Sequence, residues 1–405
     1  MSDNTFDALI APLQKFFKLH SELIDKESGS RKLLFTSFTL TMLYSLMMQI
    51  ESLRKVSNHL KYSDTVPKVG LQYFAWTTIR DGFTRFSSQH FMNLYRSVVA
   101  QTQIFKLKSI DEVGLISLVD GSLFPTIISM CWAEYKTTKK AIRLHVEMSL
   151  NQMIPLEFAG LSGNSSERDF LRSIVRKSVT YIADRGYFSF DLAHFICKHF
   201  AFFIFRIRNN MKMDAGKALQ VSGAIPKCLS NVSDQLIRFT NDPHNRVYRV
   251  ICFTVLQSEF KLCTNRLELT TLEIIMLYAY RWQVELLFKF VKRTLKGLHL
   301  FNHSKNGVNI QFCLLMILSV VYLNMRQFCK VTTATVKFQE NPVSAQPSTM
   351  SFFNSFSEHN PQKWIHSINR AFDDLWKISS YWVQNIKDFL AKPFDFQIVE
   401  SLAGC

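Results

Sequence analysis

Few folds accommodate the order of short apolar runs that lies between residues 113 and 208. Three of these runs, VGLISLVDGSLF, AIRLHVEMSL and MIPLEFAGLSG, are separated by polar turns, as is typical of three adjacent β-strands. Four further segments follow in the order helix, strand, helix and strand: SSERDFLRSIVRK, SVTYIADRGYF, FDLAHFICKHF and AFFIFRIRNN. The pattern predicts an α/β core in three layers with a mixed sheet.

This order of elements is the order of a ribonuclease-H-like sheet, so residues 113–208 are predicted to form the first part of such a catalytic core. The order ends at residue 209. GKALQVSGAIPKCLSNVSDQ is typical of a loop, whereas LIRFT, NRVYRVICFTVLQ and KLCTN are predicted strands. Residues 209–270 are therefore predicted to be a β-rich insertion, and residues 271–330 to supply the remaining core helices.

Residues 1–112 are predicted to form a helical domain. RKLLFTSFTLTMLYSLMMQI predicts a long helix and ESLRKVSNHLKY a shorter one, followed by a helix, a break and a helix, with Thr77 or Thr78 as a cap. Basic residues occupy polar positions of these helices: Arg54, Lys55, Arg80 and Arg85. The domain is either a helix–turn–helix-like DNA reader or an accessory domain with a solvated basic face.

The C-terminal quarter changes in composition. Residues 331–361 are rich in Ser, Thr, Gln and Pro and predict a polar linker, and residues 362–405 predict a helical tail. The most apolar run, FCLLMILSVVYL, is too short to span about 30 Å of hydrocarbon as a helix. A buried core helix is therefore the favoured interpretation, and a membrane protein is the disfavoured one.

Charge and cysteine usage narrow the class of protein. The formal net charge is +16, from 48 Lys and Arg against 32 Asp and Glu, which attracts polyanions such as nucleic acid or an anionic membrane surface. The eight cysteines are scattered without a CxxC pair or a histidine at ligand spacing. Neither a zinc site nor a disulfide framework is indicated, and MSDNTFDALIAP is not typical of a secretory signal, so a reducing cytoplasm is expected.

The segment YAYRWQVELLFKFVK carries one acid among several cations. On a single ideal helix, Arg281, Glu285, Lys289 and Lys292 share a face with Tyr278, and the opposite face is apolar. One interpretation is a solvated face with a Glu285–Lys289 pair that contributes a few tenths of a kcal/mol. The other is a metal ligand surrounded by phosphate-binding groups.

Two aspartates follow buried strands and bear on that choice. Asp120 is predicted to end the strand GLISLVD, and Asp184 to end VTYIAD. A buried acid is costly unless it is paired or bound to a metal, although either residue alone fits a strand-end cap. Because the first and fourth strands of a ribonuclease-H-like sheet are neighbours, we expect both carboxylates to face each other. With Glu285 they would supply the several carboxylates that magnesium requires.

These motifs resemble those of the DDE transposases of the bacterial insertion sequence four family. The family signature of Tyr, two residues, Arg, three residues, Glu, six residues and Lys matches four positions: Tyr278, Arg281, Glu285 and Lys292. Its D-G-[ST] and D-R-G-[FY] motifs match two further segments: Asp120-Gly121-Ser122 and Asp184-Arg185-Gly186-Tyr187. The resemblance covers about residues 30 to 330, in the same order as in the family.

The resemblance implies a DNA transposase that cuts an insertion sequence out and joins its 3′-hydroxyl ends to target DNA. It implies two Mg²⁺, with Mn²⁺ able to substitute, held by Asp120, Asp184 and Glu285. Contacts with DNA would come from seven side chains: Tyr278, Arg281, Lys292, Lys289, Arg185, Arg80 and Arg85. A homodimer on double-stranded DNA, at the terminal inverted repeats and the target, and a place in the bacterial cytoplasm and nucleoid are also implied.

Two alternatives share these motifs. A non-catalytic or domesticated DNA-binding protein would keep the fold without cleaving DNA, and a nuclease would cleave without joining. Metal-dependent nicking separates the first alternative from a transposase, and strand transfer separates the second.

Overall fold

The computed structural model describes residues 5–29, 32–102, 112–223, 225, 229–255 and 258–340. The predicted tail, residues 362–405, and most of the predicted linker lie outside the described residues. The N-terminal part is helical, as predicted, with six helices: α1 Thr5–Ser28, α2 Phe35–Met47, α3 Leu53–Tyr62, α4 Thr65–Lys68, α5 Trp76–Arg85 and α6 Ser88–Gln101.

Phenylalanine rings hold the N-terminal helices together. The ring of Phe38 on α2 lies 5.1 Å from that of Phe83 on α5, and the ring of Phe35 lies 5.0 Å from that of Phe91 on α6. Gly82 allows this approach, because a Cβ there would lie 2.6 Å from the Phe38 ring. The predicted cap at Thr77 or Thr78 is wrong: α5 begins at Trp76, so both threonines lie inside the helix, and Ala75 at the N-cap position has no side chain that could cap it.

Ten strands form one mixed sheet. The strands are β1 Leu115–Thr126, β2 Glu134–Lys136, β3 Lys139–Ser149, β4 Ile154–Ser162, β5 Val179–Ala183, β6 Phe202–Arg206, β7 Lys217–Leu219, β8 Ser230–Ile237, β9 Tyr248–Val255 and β10 Ser258–Thr264. Their order is β2-β3-β1-β5-β6-β10-β9-β8-β7, and β4 pairs with β3. β1 runs antiparallel to β3 and parallel to β5, and β5 runs parallel to β6. The predicted mixed α/β architecture, with the first and fourth core strands adjacent, is confirmed.

The residues predicted as a β-rich insertion continue the core sheet. β10 pairs antiparallel with β6, with Leu262 opposite Arg206, and β9, β8 and β7 follow in order. This pairing satisfies the backbone groups of β6 that an edge strand would leave open. The segment predicted to be a loop contains β7 and the start of β8. β7 pairs with β8, and β8 with β9, so these strands form only where the chain folds back on itself, which local periodicity does not indicate.

Apolar side chains cover both faces of the sheet. Along β5, Tyr181 and Ala183 lie in one buried cluster and Ile182 lies in the other, as the alternation of a strand requires. Two helices pack on the Tyr181 side: α7 Glu167–Ile174 and α8 Phe190–Lys198. The remaining helices lie on the opposite side: α9 Thr271–Ala279, α10 Trp282–Lys289 and α11 Lys305–Glu340, with a π-helical segment at Phe290–Thr294.

The helix α11 contains the most apolar run of the chain. Its residues Lys305–Leu323 are long and apolar enough to cross a membrane, but 89% of this stretch is buried inside the protein. The predicted core helix is therefore confirmed, although it is longer than the apolar run indicated. α11 continues to Glu340, so the first ten residues of the predicted linker are helical. Extending an existing helix costs less free energy than starting one, which accounts for this difference.

Candidate active site

Residues 271–297 carry the charged segment and do not form the single ideal helix that its spacing suggested. α9 ends at Ala279, α10 spans Trp282–Lys289, and the π-helical segment follows. The π-helical turn is closed by a hydrogen bond from the backbone N–H of Leu295 to the Phe290 carbonyl. Single π turns often occur at functional sites. The breaks redirect the side chains that one regular helix would have placed on one stripe.

Asp120 lies within β1 and not at its end, so that prediction is wrong. β1 pairs in parallel with β5 only as far as Leu118, but its antiparallel ladder with β3 continues through Thr126. Glycine and serine at the next two positions do not end the strand, because β3 supplies partners for their backbone. Asp184 follows Ala183, the last residue of β5, as predicted.

The two aspartates line the same cavity, with a volume of about 680 Å³. The cavity opens where the parallel strands β5 and β6 end, and Glu167, Arg185 and Arg206 also line it. Parallel strands bring their carboxyl ends to one edge, which is where open α/β sheets bind ligands. The predicted proximity of Asp120 and Asp184 is thus present in the fold.

The Arg281 side chain lies between two acids, Asp120 and Glu285. Its guanidinium lies 3.3 Å from Asp120 Oδ2 and 2.7 Å from Glu285 Oε1, and only 14% of its side chain is exposed. Burial raises the pKa of Asp120 to about 6, against the opposing effect of Arg281. Burial acts to lower the pKa of Arg281, but Tyr278, Asp120 and Glu285 outweigh it and raise that pKa. The arginine therefore stays charged between the two acids.

Tyr278 contacts the second aspartate. Its hydroxyl donates a hydrogen bond of 3.1 Å to Asp184 Oδ1, and burial raises the pKa of Tyr278 to about 12. The Arg206 guanidinium lies 3.9 Å from the same carboxylate oxygen and stacks on the ring of Phe260 at 4.5 Å. The phenol therefore remains a donor near neutral pH and holds Asp184 in one orientation.

Lys292 contacts the segment after Asp120. Its Nζ donates to the hydroxyl of Ser122 and to the carbonyl of Leu123, both at 2.7 Å, and it lies 4.7 Å above the ring of Phe124. Burial lowers the pKa of this lysine. The π-helical segment thus places Lys292 against β1.

The four residues of the spaced signature therefore all lie at the two aspartate motifs. Tyr278, Arg281 and Lys292 contact these motifs directly, and Glu285 is linked to them by its ion pair with Arg281. The remaining predicted DNA contacts are more dispersed. Arg185 is exposed and lines the cavity, whereas Lys289 is exposed and does not line it. Arg80 and Arg85 lie on α5 among the N-terminal helices, and neither lines the cavity. Arg80 bonds the neighbouring Asp81 at 2.9 Å.

Glu167, at the start of α7, was not predicted for the site. Its carboxylate lies between the glycines of the two aspartate motifs: a Cβ on Gly121 would lie 3.4 Å from Oε1, and one on Gly186 would lie 2.7 Å from Oε2. The same carboxylate is ion-paired with Arg143 on β3. The sequence SSERDF indicated the helix start, but nothing local indicated the strand ends against which this helix packs.

His145, also missed, lies opposite Gly121 in the β1–β3 pairing. Its Nε2 lies 2.8 Å from the Ser165 hydroxyl, and its Nδ1 is buried without a hydrogen-bond partner. Burial lowers the pKa of His145 to about 4, so the imidazole is neutral at physiological pH. An isolated histidine in an alternating strand gives no signal of this position.

The donor chemistry of the cavity fits a hard divalent cation, because carboxylate oxygens are the ligands that Mg²⁺ prefers. Asp120 and Asp184 present such oxygens to a common space. Within the described ranges, no three His, Cys, Asp or Glu residues are grouped closely enough to hold a metal ion. Glu285 is bound to Arg281, so its participation with the two aspartates requires that this ion pair opens.

Comparison with known proteins gives a consistent result. The family model of the transposase DDE domain matches residues 113–321. A Sinorhizobium fredii protein named as a transposase is 22% identical over 56% of this chain and 65% of its own length. A Geobacillus stearothermophilus protein, named as a transposase for an insertion sequence element, is 22% identical over 53% of this chain and 58% of its own length. The chain thus spans about three fifths of each relative.

Among solved structures, the cryo-EM structure of a piggyBac transposase synaptic complex with hairpin DNA aligns with 98% of this chain and 84% of that chain. The sequence identity is 8% and the TM-score is 0.42.

Proposed function

The chain belongs to the family of proteins with a transposase DDE domain, and we propose that it is a DNA transposase acting by cut-and-paste transposition of an insertion sequence. It hydrolyses phosphodiester bonds at the element ends and transfers the freed 3′-hydroxyl groups to target DNA. The observation that carries the proposal is the contact of Arg281 with both Asp120 and Glu285. A solvated helix face would not bury an arginine between acids from two distant segments.

The proposed cofactor is a pair of Mg²⁺ ions, for which Mn²⁺ would substitute. Asp120, Asp184 and Glu285 would hold them, with Glu285 released from Arg281. When bound, such ions activate the attacking oxygen and neutralise charge on the leaving oxygen of an in-line displacement. Asp120 supports this role, because a carboxyl with a pKa of about 6 readily ionises when a cation approaches.

The signature side chains are proposed to position the acids. Tyr278 orients Asp184 through its hydroxyl, and Lys292 holds the segment after Asp120 through the Ser122 hydroxyl and the Leu123 carbonyl. Arg281 and Lys292 are engaged with protein groups, so a contact with phosphate would require that these bonds open. Arg185 directly follows Asp184, is exposed at the cavity and is a proposed phosphate contact that requires no such opening.

End recognition is assigned to the N-terminal helices, and a homodimer is proposed because transposition joins two element ends. The α3–α5 region supports a contact with DNA: Arg54 and Arg80 lie 5.1 and 5.4 Å from the ring of Trp76. Both arginines are exposed, so this stacked group presents two cations and an aromatic ring. Such groups bind nucleic acid backbones and bases.

The test begins with the DNA that flanks the gene, in which imperfect inverted repeats between short direct duplications define the element ends. The protein should nick DNA carrying these ends in Mg²⁺ and join the cut ends to a supercoiled plasmid. Nicking without joining would identify a nuclease of the same family. Binding of the ends without nicking in Mg²⁺ or Mn²⁺ would identify a non-catalytic DNA-binding protein.

A further inference from the structure

A second cavity, of about 540 Å³, adjoins the one that contains the aspartates. The two cavities share Arg185, Arg208 and Asn210. Arg168 and Lys212 line the second cavity as well. We call this surface the basic groove and define it by its four cations: Arg168, Arg185, Arg208 and Lys212. Of these, only Arg185 belongs to the motifs recognised in the sequence.

The topology explains how these cations meet. Arg168 lies in the first turn of α7, Arg185 follows β5, and Arg208 and Lys212 follow β6. β5 and β6 are parallel neighbours, so the segments after them leave the same edge of the sheet. The basic groove therefore begins at Asp184 and passes the end of β6 toward the turn containing Asn241.

The charges of the basic groove are largely uncompensated. Arg185, Arg208 and Lys212 are exposed, and the part of the chain that the structure describes offers them no ion-pair partner within 4 Å. Asp191 is the one acid that lines the second cavity, so the four cations of the basic groove outnumber it. Neighbouring like charges repel each other, and a concave surface concentrates their field, so this surface attracts an anion with several charges.

We propose that the basic groove binds the phosphates of a DNA strand that continues from the bond held beside Asp120 and Asp184. This inference rests on the proposed function, because that function places a phosphodiester at the aspartates. A DNA strand carries a regular series of negative charges, which matches a row of separate cations better than a single compact anion does. The contact is with the backbone, so it should not depend on base sequence.

The test compares two double variants that remove the same charge. Arg208→Ala/Lys212→Ala removes two cations of the basic groove. Lys177→Ala/Lys198→Ala removes two exposed lysines that lie away from the end of β5 where the groove begins. Lys177 precedes β5, and Lys198 lies in the last turn of α8. All four side chains are exposed, so the melting temperatures of both variants should match that of the wild type.

The measurement is fluorescence anisotropy with a random-sequence duplex of about 30 base pairs, long enough to extend beyond the site, at several salt concentrations without divalent metal. The groove variant should lower the magnitude of the slope of log K against log salt by about two, and the control variant should leave it unchanged. Arg185→Ala alone should lower it by about one. Equal slopes for the wild type and both double variants would overturn the inference.

Cleavage of end-bearing DNA by the wild type in Mg²⁺ is measured separately, so the two proposals fail in different ways. Cleavage with an unchanged slope in the groove variant would leave the transposase proposal in place and reject the basic groove. A reduced slope without wild-type cleavage would support the basic groove as a DNA-binding surface and reject the catalytic proposal.

Discussion

Arg281 and Asp120 lie 161 residues apart in the sequence and 3.3 Å apart in the fold. Because the same guanidinium also binds Glu285, two of the three proposed catalytic acids share one buried counter-ion. A shared cation reduces the repulsion that would otherwise act between the carboxylates. The acids can therefore lie close together in the folded chain, and their chemistry depends on the arginine between them.

Glu285→Gln should abolish metal-dependent cleavage while the protein still binds element ends. The change keeps shape and helix propensity but removes one negative charge from a site that needs several. End binding should stay equal or tighten, because less negative charge repels phosphate. Cleavage in Mg²⁺ and a mobility-shift titration in Ca²⁺ measure the two effects. Glu22→Gln, on the exposed face of α1, is the matched control and should cleave normally. Near-normal cleavage by Glu285→Gln would contradict its catalytic role.

Asp120→Asn should stabilise the protein above pH 6. The folded-state pKa of Asp120 is about 6, above its ordinary 3.8, so folding favours the protonated form. That contribution to stability is complete below about pH 4 and is lost as the pH rises through 6. The amide mimics the protonated acid at every pH. Urea unfolding should give equal free energies near pH 4 and an advantage for the variant approaching about 3 kcal/mol by pH 7.5.

An advantage of the same size at both pH values would contradict that prediction, because it would not arise from ionisation of Asp120. Asp64→Asn, on an exposed side chain just before α4, is the comparison and should show no such difference between the two pH values.

Lys292→Met should destabilise the protein by about 1–3 kcal/mol, because it removes the partner of the Ser122 hydroxyl and the Leu123 carbonyl. Methionine retains most of the apolar stem. Urea unfolding gives the magnitude, and Lys289→Met, an exposed lysine one turn earlier, is the control. The salt slope of DNA binding should be unchanged. A slope lower by about one with unchanged stability would instead make Lys292 a phosphate contact.

Gly82→Ala should destabilise the N-terminal helices despite the better helix propensity of alanine. Propensity favours alanine by about 1 kcal/mol, but the added methyl would lie 2.6 Å from the buried ring of Phe38. Overpacking of this kind costs about 1–3 kcal/mol, so the net change should be destabilising. Thermal unfolding measures it. Gly82→Ala should cost less stability when it is made in a Phe38→Leu protein than in the wild type, because the smaller side chain leaves room for the methyl group. If the effects of the two changes are strictly additive, this contact is ruled out.

Much of the core could be predicted because its signals are local. Period-two apolar runs located β3, β4, β5 and β6, and a run closed by a turn placed Asp184 directly after β5. The spacing of Tyr278, Arg281, Glu285 and Lys292 indicated a common site. It did not reveal that the segment breaks into α9, α10 and a π-helical turn. Regular helical geometry predicts a stripe on one face, whereas packing against β1 decides where each of these side chains points.

The sequence alone was sufficient for the α/β class and for the adjacency of the strands carrying Asp120 and Asp184, and it supplied the proposal that carboxylates carry the chemistry. These follow from periodicity, element order and residue type, all of which are properties of neighbouring positions. Only the tertiary structure placed Asp120 inside a strand, Arg281 between two acids, Glu167 between two glycines, and Arg208 in the same cavity as Asp184. Each of these positions depends on which distant segments pair and bury one another. That pairing is decided by the free energy of the whole fold, which local sequence patterns do not report.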